Sequence, residues 1–341
     1  MAGADLLFVS QEDVVAAGGL DMDGTIEVVE EALRLHARGE AIAPKKSSIL
    51  WSDDLDSDEK LGRIMAMPAY VGGGMDVTGV KWIPSVPDNA ARGLPRGIGI
   101  ILLSDRETGM PIAVLDGTVV SAMRTGAIGG IAARALANPG SSVVTLLGAG
   151  VQARTQLMAL ERTLELEEVR VYDVVADRAA AFCEREGREG FQLLPVDDPV
   201  EACAGSAVVV AATMADRPFV PPEWLDAGAV FVSISSLDPT LELIEACDVL
   251  VTDVWEHETG HHSRPFARAL AAGIATQEQV TELGQLLIGN APGRTSETQR
   301  VLVSPVGLGI EDVAEAWRVV RRAKELGIGT PLRLWERPVW T

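Results

Sequence analysis

Three kinds of residue in this sequence have the type and spacing to do chemistry. The first is the run Gly148-Ala149-Gly150-Val151-Gln152-Ala153, followed later by Asp173. It fits G-x-G-x-x-G/A with alanine in the third place, a turn that lets backbone N–H groups approach a pyrophosphate at the positive end of a helix. An acid about twenty residues on, at the end of the next strand, can accept hydrogen bonds from ribose hydroxyls. The pattern predicts a dinucleotide site, and the carboxylate of Asp173 predicts NAD in preference to NADP because it would repel a 2'-phosphate. Only Arg170 and Arg178 lie near enough in sequence to compensate.

The second kind is a cation in apolar surroundings. Lys81 interrupts the strand-like run Val77-Thr78-Gly79-Val80-Lys81-Trp82-Ile83, and Arg124 sits in a stretch of small residues from 119 to 136. A buried ammonium needs a partner or an anionic ligand, unless the strand is an edge that the lysine protects. A buried guanidinium is either in a structural ion pair or meets an anion in a fixed fork. The third kind is Asp238, just beyond the apolar run at 229–234. Ligands of open α/β sheets bind at that edge, so the carboxylate can carry proton chemistry. It could equally cap a helix beginning near Leu241, with Pro239 at the first helical position. His257-Glu258-Thr259-Gly260-His261 also fits the H-E-x-x-H zinc motif. Gly260 and the following Ser263-Arg264-Pro265 weaken the helix such a site requires, so no metal is expected there.

These groups need elements to hold them. Val143, Val144, Thr145, Leu146 and Leu147 form a run without polar alternation, as in a parallel strand covered on both faces. A helix at 156–160 and a strand at 169–172 follow, and further apolar strands at 207–213, 229–234 and 248–251 stand at helix-length intervals. That rhythm predicts a parallel, right-handed wound sheet. Upstream, short strands between 63 and 115, with the turn Asp105-Arg106-Glu107-Thr108-Gly109-Met110-Pro111, predict an antiparallel sheet. A strand at 6–9, a helix at 21–38 and an amphipathic helix at 311–325 complete the outline, with the tail returning to the first domain.

Composition narrows the class. A chain of 341 residues with 47% hydrophobic content can form about two domains. A net charge of -20, from 49 acidic and 29 basic residues, argues against nucleic acid or an anionic membrane as partner. No apolar stretch has the length of a membrane span, and the start of the chain lacks a basic segment before an apolar core, so a cytoplasmic protein is expected. The three cysteines, Cys183, Cys203 and Cys247, are widely spaced in apolar or helical contexts and read as reduced packing thiols.

Taken together, Met67-Pro68-Ala69-Tyr70, Lys81-Trp82-Ile83, the 105–111 turn, Ala122-Met123-Arg124-Thr125, the 148–153 turn and Ser304-Pro305-Val306-Gly307-Leu308-Gly309-Ile310 resemble the ornithine cyclodeaminase/mu-crystallin family. The resemblance implies a Rossmann NAD-binding domain, 127–317, inserted in an α+β substrate-binding and dimerisation domain formed by 1–126 and 318–341. It implies a homodimer, an α-amino-acid substrate, and substrate contacts from Lys46, Met67, Lys81, Arg96 and Arg124. Asp238 and Lys81 would be catalytic, and Thr125, Thr213, Val306 and Gly307 would join the glycine turn and Asp173 around the cofactor. The implied chemistry is hydride transfer from Cα to leave an iminium, then cyclisation with loss of ammonia. Leu94-Pro95-Arg96 and the 304–309 segment look closer to the branch that oxidises N-(2-amino-2-carboxyethyl)-glutamate, whose product would be a keto acid plus NADH. A non-catalytic cofactor-binding protein, as mu-crystallin-like members imply, or an accessory subunit is the reading from another class.

Overall fold

The computed structural model describes residues 4–52, 61–235, 237–259 and 262–340. The chain divides into two units, one running to Arg124 and resuming at Leu308, the other spanning Thr125–Gly307. In unit 1 the elements are β1 (Ala4–Val9), α1 (Gln11–Ala16), α2 (Met22–Ala37), β2 (Ala41–Ile42), β3 (Ser47–Trp51), β4 (Gly62–Val71), β5 (Val77–Ser85), β6 (Ile100–Asp105) and β7 (Pro111–Asp116). The helix α3 (Gly117–Leu136) carries the chain into unit 2. There follow β8 (Val143–Leu147), α4 (Val151–Thr163), β9 (Glu168–Tyr172), α5 (Ala176–Glu186), β10 (Gln192–Pro195), α6 (Pro199–Cys203), β11 (Val208–Ala211), β12 (Val230–Ser233) and α7 (Leu241–Glu245). Then come β13 (Val249–Thr252), α8 (Trp255–Glu258), α9 (Pro265–Ala271), β14 (Val280–Glu282), α10 (Leu283–Leu287) and β15 (Val301–Val303). Unit 1 is completed by α11 (Gly309–Leu326) and β16 (Thr330–Trp335).

Unit 1 is built on one sheet in the order β16-β1-β7-β6-β5-β4-β2, with β3 also on β4. Only β1 and β7 pair in parallel among these described strands, and β16 returns the C-terminal tail to lie antiparallel to β1. Alternation decides the two faces. Met67, Ile101 and Leu103 point to a buried face covered by α11, which packs on β4, β5 and β6 and against α2. Phe8, Ile49, Trp82 and Ile100 point the other way and are exposed. Asp21 caps α2 by accepting from Gly24 N, and Ser10 caps α1 reciprocally with Asp13.

The inserted domain, expected to end at 317, ends sooner, because α11 lies on the unit 1 sheet from its first turn. A Cβ on Gly309 would stand 2.9 Å from Met67 O, so residues 308–317 belong with unit 1. At the other boundary, Thr125 O accepts from Gln156 Nε2 at 2.8 Å and joins unit 2.

Unit 2 is an all-parallel sheet in the order β10-β9-β8-β11-β12-β15-β13-β14. Its central strands are buried apart from half-buried Val143 at the start of β8, which accounts for their unbroken apolar runs. This is a Rossmann-type domain. Its first strand, β8, has β9 on one side and β11 on the other, so the winding reverses there and opens a crevice at the carboxyl ends. The small residues of α3 have a packing role: Gly126 and Gly129 meet Thr155 and Gln156 of α4, where any Cβ would collide. Among the described residues, no helix is long and apolar enough to cross a membrane.

Candidate active site

The carboxyl edge of the unit 2 sheet gathers the predicted cofactor residues. Gly148 follows β8, Asp173 follows β9, Thr213 lies beyond β11, and Val306 and Gly307 lie beyond β15. Gly148 has φ 101°, open to glycine alone without strain, and a Cβ there would stand 2.6 Å from Ala212 O in the loop after β11. Gly150 is the N-cap of α4 and brings no side chain to the task. A Cβ there would meet nothing within 4 Å, and Val151, Gln152 and Ala153 then present the first N–H groups of the helix. This open cradle at a positive helix end fits a pyrophosphate. Asp173 stands at its rim, half-buried, accepting from Ala149 N and from Val175 N, both at 3.0 Å. The acid therefore anchors the glycine turn.

Asp238 is fully buried. Its Oδ1 accepts from Thr213 Oγ1 at 2.7 Å, and its Oδ2 accepts from Ser233 Oγ at 3.0 Å and Ser235 Oγ at 2.6 Å. The helix-cap alternative is overturned, because α7 begins later and is capped by Thr240, which accepts from Leu243 N. Arg268 lies close, donating to Pro239 O at 2.5 Å. A carboxylate held by three hydroxyls is fixed in orientation.

In unit 1, Lys81 and Arg124 are both buried and form one cluster with two acids of α11. β5 lies between β4 and β6, so Lys81 guards no edge. Its ammonium is 2.6 Å from Asp312 Oδ2 and donates to Ser121 Oγ at 3.1 Å. Arg124 donates through Nε to Asp312 Oδ1 at 3.0 Å and through Nη1 to Glu311 Oε2 at 2.8 Å. Burial, then the neighbouring Arg124, pushes Lys81 down to about 8, against the pull of Asp312 and Glu311. For Arg124 burial also opposes the charge, but the same two acids outweigh it and hold the guanidinium above its ordinary range. The structural ion pair considered for Arg124 is therefore real. It uses only part of the donor set, since Nη2 has no partner among the described residues and an ammonium has three N–H groups.

Met67 is buried on β4 directly opposite Lys81 in the register. Lys46, half-buried before β3, and Arg96, exposed before β6, stand outside these ion pairs. The H-E-x-x-H match is divided: His257 and Glu258 close a four-residue helix, whereas His261 lies outside the described residues. Glu258 is fully buried, and Ser304 Oγ donates to its Oε1 at 3.2 Å. Burial pushes Glu258 up to about 7, with Arg264 opposing and Asp253 adding to the rise. Asp253 receives Gly307 N at 2.5 Å and Val254 N at 2.8 Å and so clamps the turn after β15.

The residues that sequence reasoning missed are Glu311, Asp312, Ser121 and Ser233; Thr213, expected at the cofactor, also donates to Asp238. A signal did exist for one of them. Asp312, Ala316, Val319 and Ala323 follow i, i+4, i+7 and i+11, which puts an acid on the core stripe of α11.

Comparison with known proteins adds four findings. Residues 7–327 match the ornithine cyclodeaminase/mu-crystallin family. The N-((2S)-2-amino-2-carboxyethyl)-L-glutamate dehydrogenase of Staphylococcus aureus is 32% identical over 336 residues, 97% of this chain and 99% of the relative. Among solved structures, the Thermococcus litoralis Δ1-pyrroline-2-carboxylate reductase in complex with NADH and L-proline superposes with a TM-score of 0.88 at 30% identity, covering 95% of this chain and 99% of that one. An archaeal alanine dehydrogenase dimer with bound NAD gives 0.86 at 31% identity, covering 97% and 100%.

Proposed function

Because this chain belongs to the ornithine cyclodeaminase/mu-crystallin family and is an NAD-dependent enzyme of the amino-acid dehydrogenase or cyclodeaminase type, we propose that it oxidises the Cα–N bond of an N-substituted α-amino acid. The observation that carries this reading is the cation pair of Lys81 and Arg124, buried yet with donors left over. Such a pair suits the α-carboxylate shared by every substrate of this class, with Arg124 offering its Nη2 edge and Lys81 its remaining N–H. NAD, when bound, accepts the hydride that leaves Cα. The Cα–H bond breaks with its electron pair, nitrogen loses a proton, and a C=N bond forms. Asp238 takes the proton from nitrogen and returns it to make the C=N carbon electrophilic. It then accepts a proton from the water that adds there and delivers it to nitrogen as the C–N bond breaks, the remaining hydroxyl proton passing to solvent. Breaking the C–N bond releases a 2-keto acid and an amine, with NADH as the reduced product. Net dehydrogenation is preferred to cyclodeamination because the Staphylococcus aureus relative and the two superposed structures are two dehydrogenases and a reductase. An uncharacterized cyclodeaminase of Sinorhizobium fredii, 33% identical over 91% of this chain, is the reason the test below also reads ammonia.

The same unit 1 sheet supports a homodimer. Its uncovered face presents Phe8, Ile49, Trp82, Ile100 and Leu332, an apolar surface of the kind that a second copy covers, and the archaeal neighbour is a dimer.

The test incubates the protein and NAD with a panel of α-amino acids and their N-substituted adducts, following NADH absorbance and product mass together. The expected result is NADH formed in step with a keto acid and an amine. A cyclic amino acid with free ammonia and no net NADH would assign cyclodeamination instead. NAD binding without turnover of any member would refute the reading.

A further inference from the structure

One carboxylate joins the two cations. Asp312 places Oδ2 2.6 Å from the Lys81 ammonium and Oδ1 3.0 Å from Arg124 Nε, so a single planar group sets their separation. Glu311 is employed differently: Oε2 meets Arg124 Nη1 at 2.8 Å, while Oε1 accepts Leu308 N at 2.9 Å and closes the first turn of α11. Asp312 makes no such backbone bond among the described residues. Both of its oxygens are given to the cations, and it is fully buried.

We propose that Asp312 is the positioning residue of the carboxylate site, fixing the spacing of Lys81 and Arg124 and keeping Lys81 cationic. This inference rests on the function proposed above. The charged groups that face Lys81 are Arg124 on α3 and Glu311 and Asp312 on α11, with the Ser121 hydroxyl beside them. Two acids against two bases leave the cluster without net charge, which lets four ionised groups be buried together. The balance at Lys81 is nevertheless narrow. Burial and Arg124 work against its proton, and Asp312 is the larger of the two acids' opposing effects. Glu311 cannot take its place, since its oxygens are held by Arg124 and Leu308. Without the carboxylate at 312, Lys81 sheds its proton at lower pH, and an ammonium becomes an amine that no longer attracts a carboxylate.

Lys81 can be titrated without any substrate. A lysine held below its unfolded value of about 10.4 binds fewer protons folded than unfolded through the interval between the two values. Wild type should therefore gain melting temperature on Lys81→Met as pH rises from about 8 to about 10. Repeating the comparison in the Asp312→Asn background, Asp312→Asn against Lys81→Met/Asp312→Asn, should move the start of that rise down by about one pH unit or more. Asp312→Glu retains the charge and guards against a variant that does not fold. It should keep the wild-type titration but raise KM about tenfold or more with the substrate found in the panel, because its extra methylene changes the spacing. NAD affinity should be unchanged in both variants. An unmoved titration in Asp312→Asn, or a wild-type KM in Asp312→Glu, would overturn the proposal. Absence of turnover in wild type would instead refute the function reading, and the titration would still decide whether Asp312 holds the charge on Lys81.

Discussion

Replacing Asp238 with asparagine tests the proton chemistry most directly. The amide has the size of the carboxylate, and its oxygen can keep the 2.7 Å bond from Thr213. Its Nδ2 then faces Ser233 and Ser235, whose hydroxyls now donate to the carboxylate and would have to turn and accept. Three bonds to a charged acceptor become bonds to a neutral one, which costs about 1–3 kcal/mol in all. For a unit of this size that lowers the melting temperature by about 2–4 °C per kcal/mol. A native stability of about 5–15 kcal/mol survives such a loss with nearly all molecules folded, so the structural effect cannot imitate a large loss of rate. Removal of a general base costs about a hundredfold to ten-thousandfold, or roughly 2.7–5.4 kcal/mol of barrier. The assay compares kcat with the best panel substrate at saturating NAD, together with NAD affinity and melting temperature. We predict a rate at least about a hundredfold lower, NAD affinity retained and a modestly lower melting temperature. A rate within about threefold of wild type, with the stability loss present, would show that Asp238 only clamps the loops after β11 and β12.

Other perturbations test other parts. Gly148→Ala would force a Cβ to 2.6 Å from Ala212 O at φ 101°, so NAD affinity should fall by about tenfold or more while circular dichroism stays native. A wild-type titration of NAD would refute the cradle. Glu258 is pushed up to about 7 in the folded protein from its ordinary 4.5, so its contribution to stability is fully present below about 4.5 and is lost as pH rises through 7. Glu258→Gln should therefore gain on wild type in melting temperature between about pH 5 and pH 8, and parallel curves would place the ionisation elsewhere. Trp82→Glu combined with Ile100→Glu loads two charges onto the exposed sheet face and should yield a monomer by light scattering. A dimer of unchanged mass would move the interface to another surface.

What could be read in the sequence was local. The glycine turn, the strand before it and Asp173 after it lie in one βαβ unit, where spacing along the chain is almost spacing in space. The parallel and antiparallel sheets were legible for the same reason, since periodicity reports which side of an element is buried. Lys81 and Arg124 were legible as misfits, charges in apolar settings, but their partners were not. Arg124 finds Glu311 and Asp312 at separations of 187 and 188 residues, after the whole cofactor unit has been inserted between them. Only the closure of α11 onto the unit 1 sheet decides that pairing, and with it the boundary at Leu308. The cap of α7 likewise went to Thr240 once Asp238 had been taken up by hydroxyls from the loops after two strands. Burial of a charge can be inferred from its neighbours in sequence, but the counter-charge that makes burial tolerable is supplied by whichever element the fold brings against it.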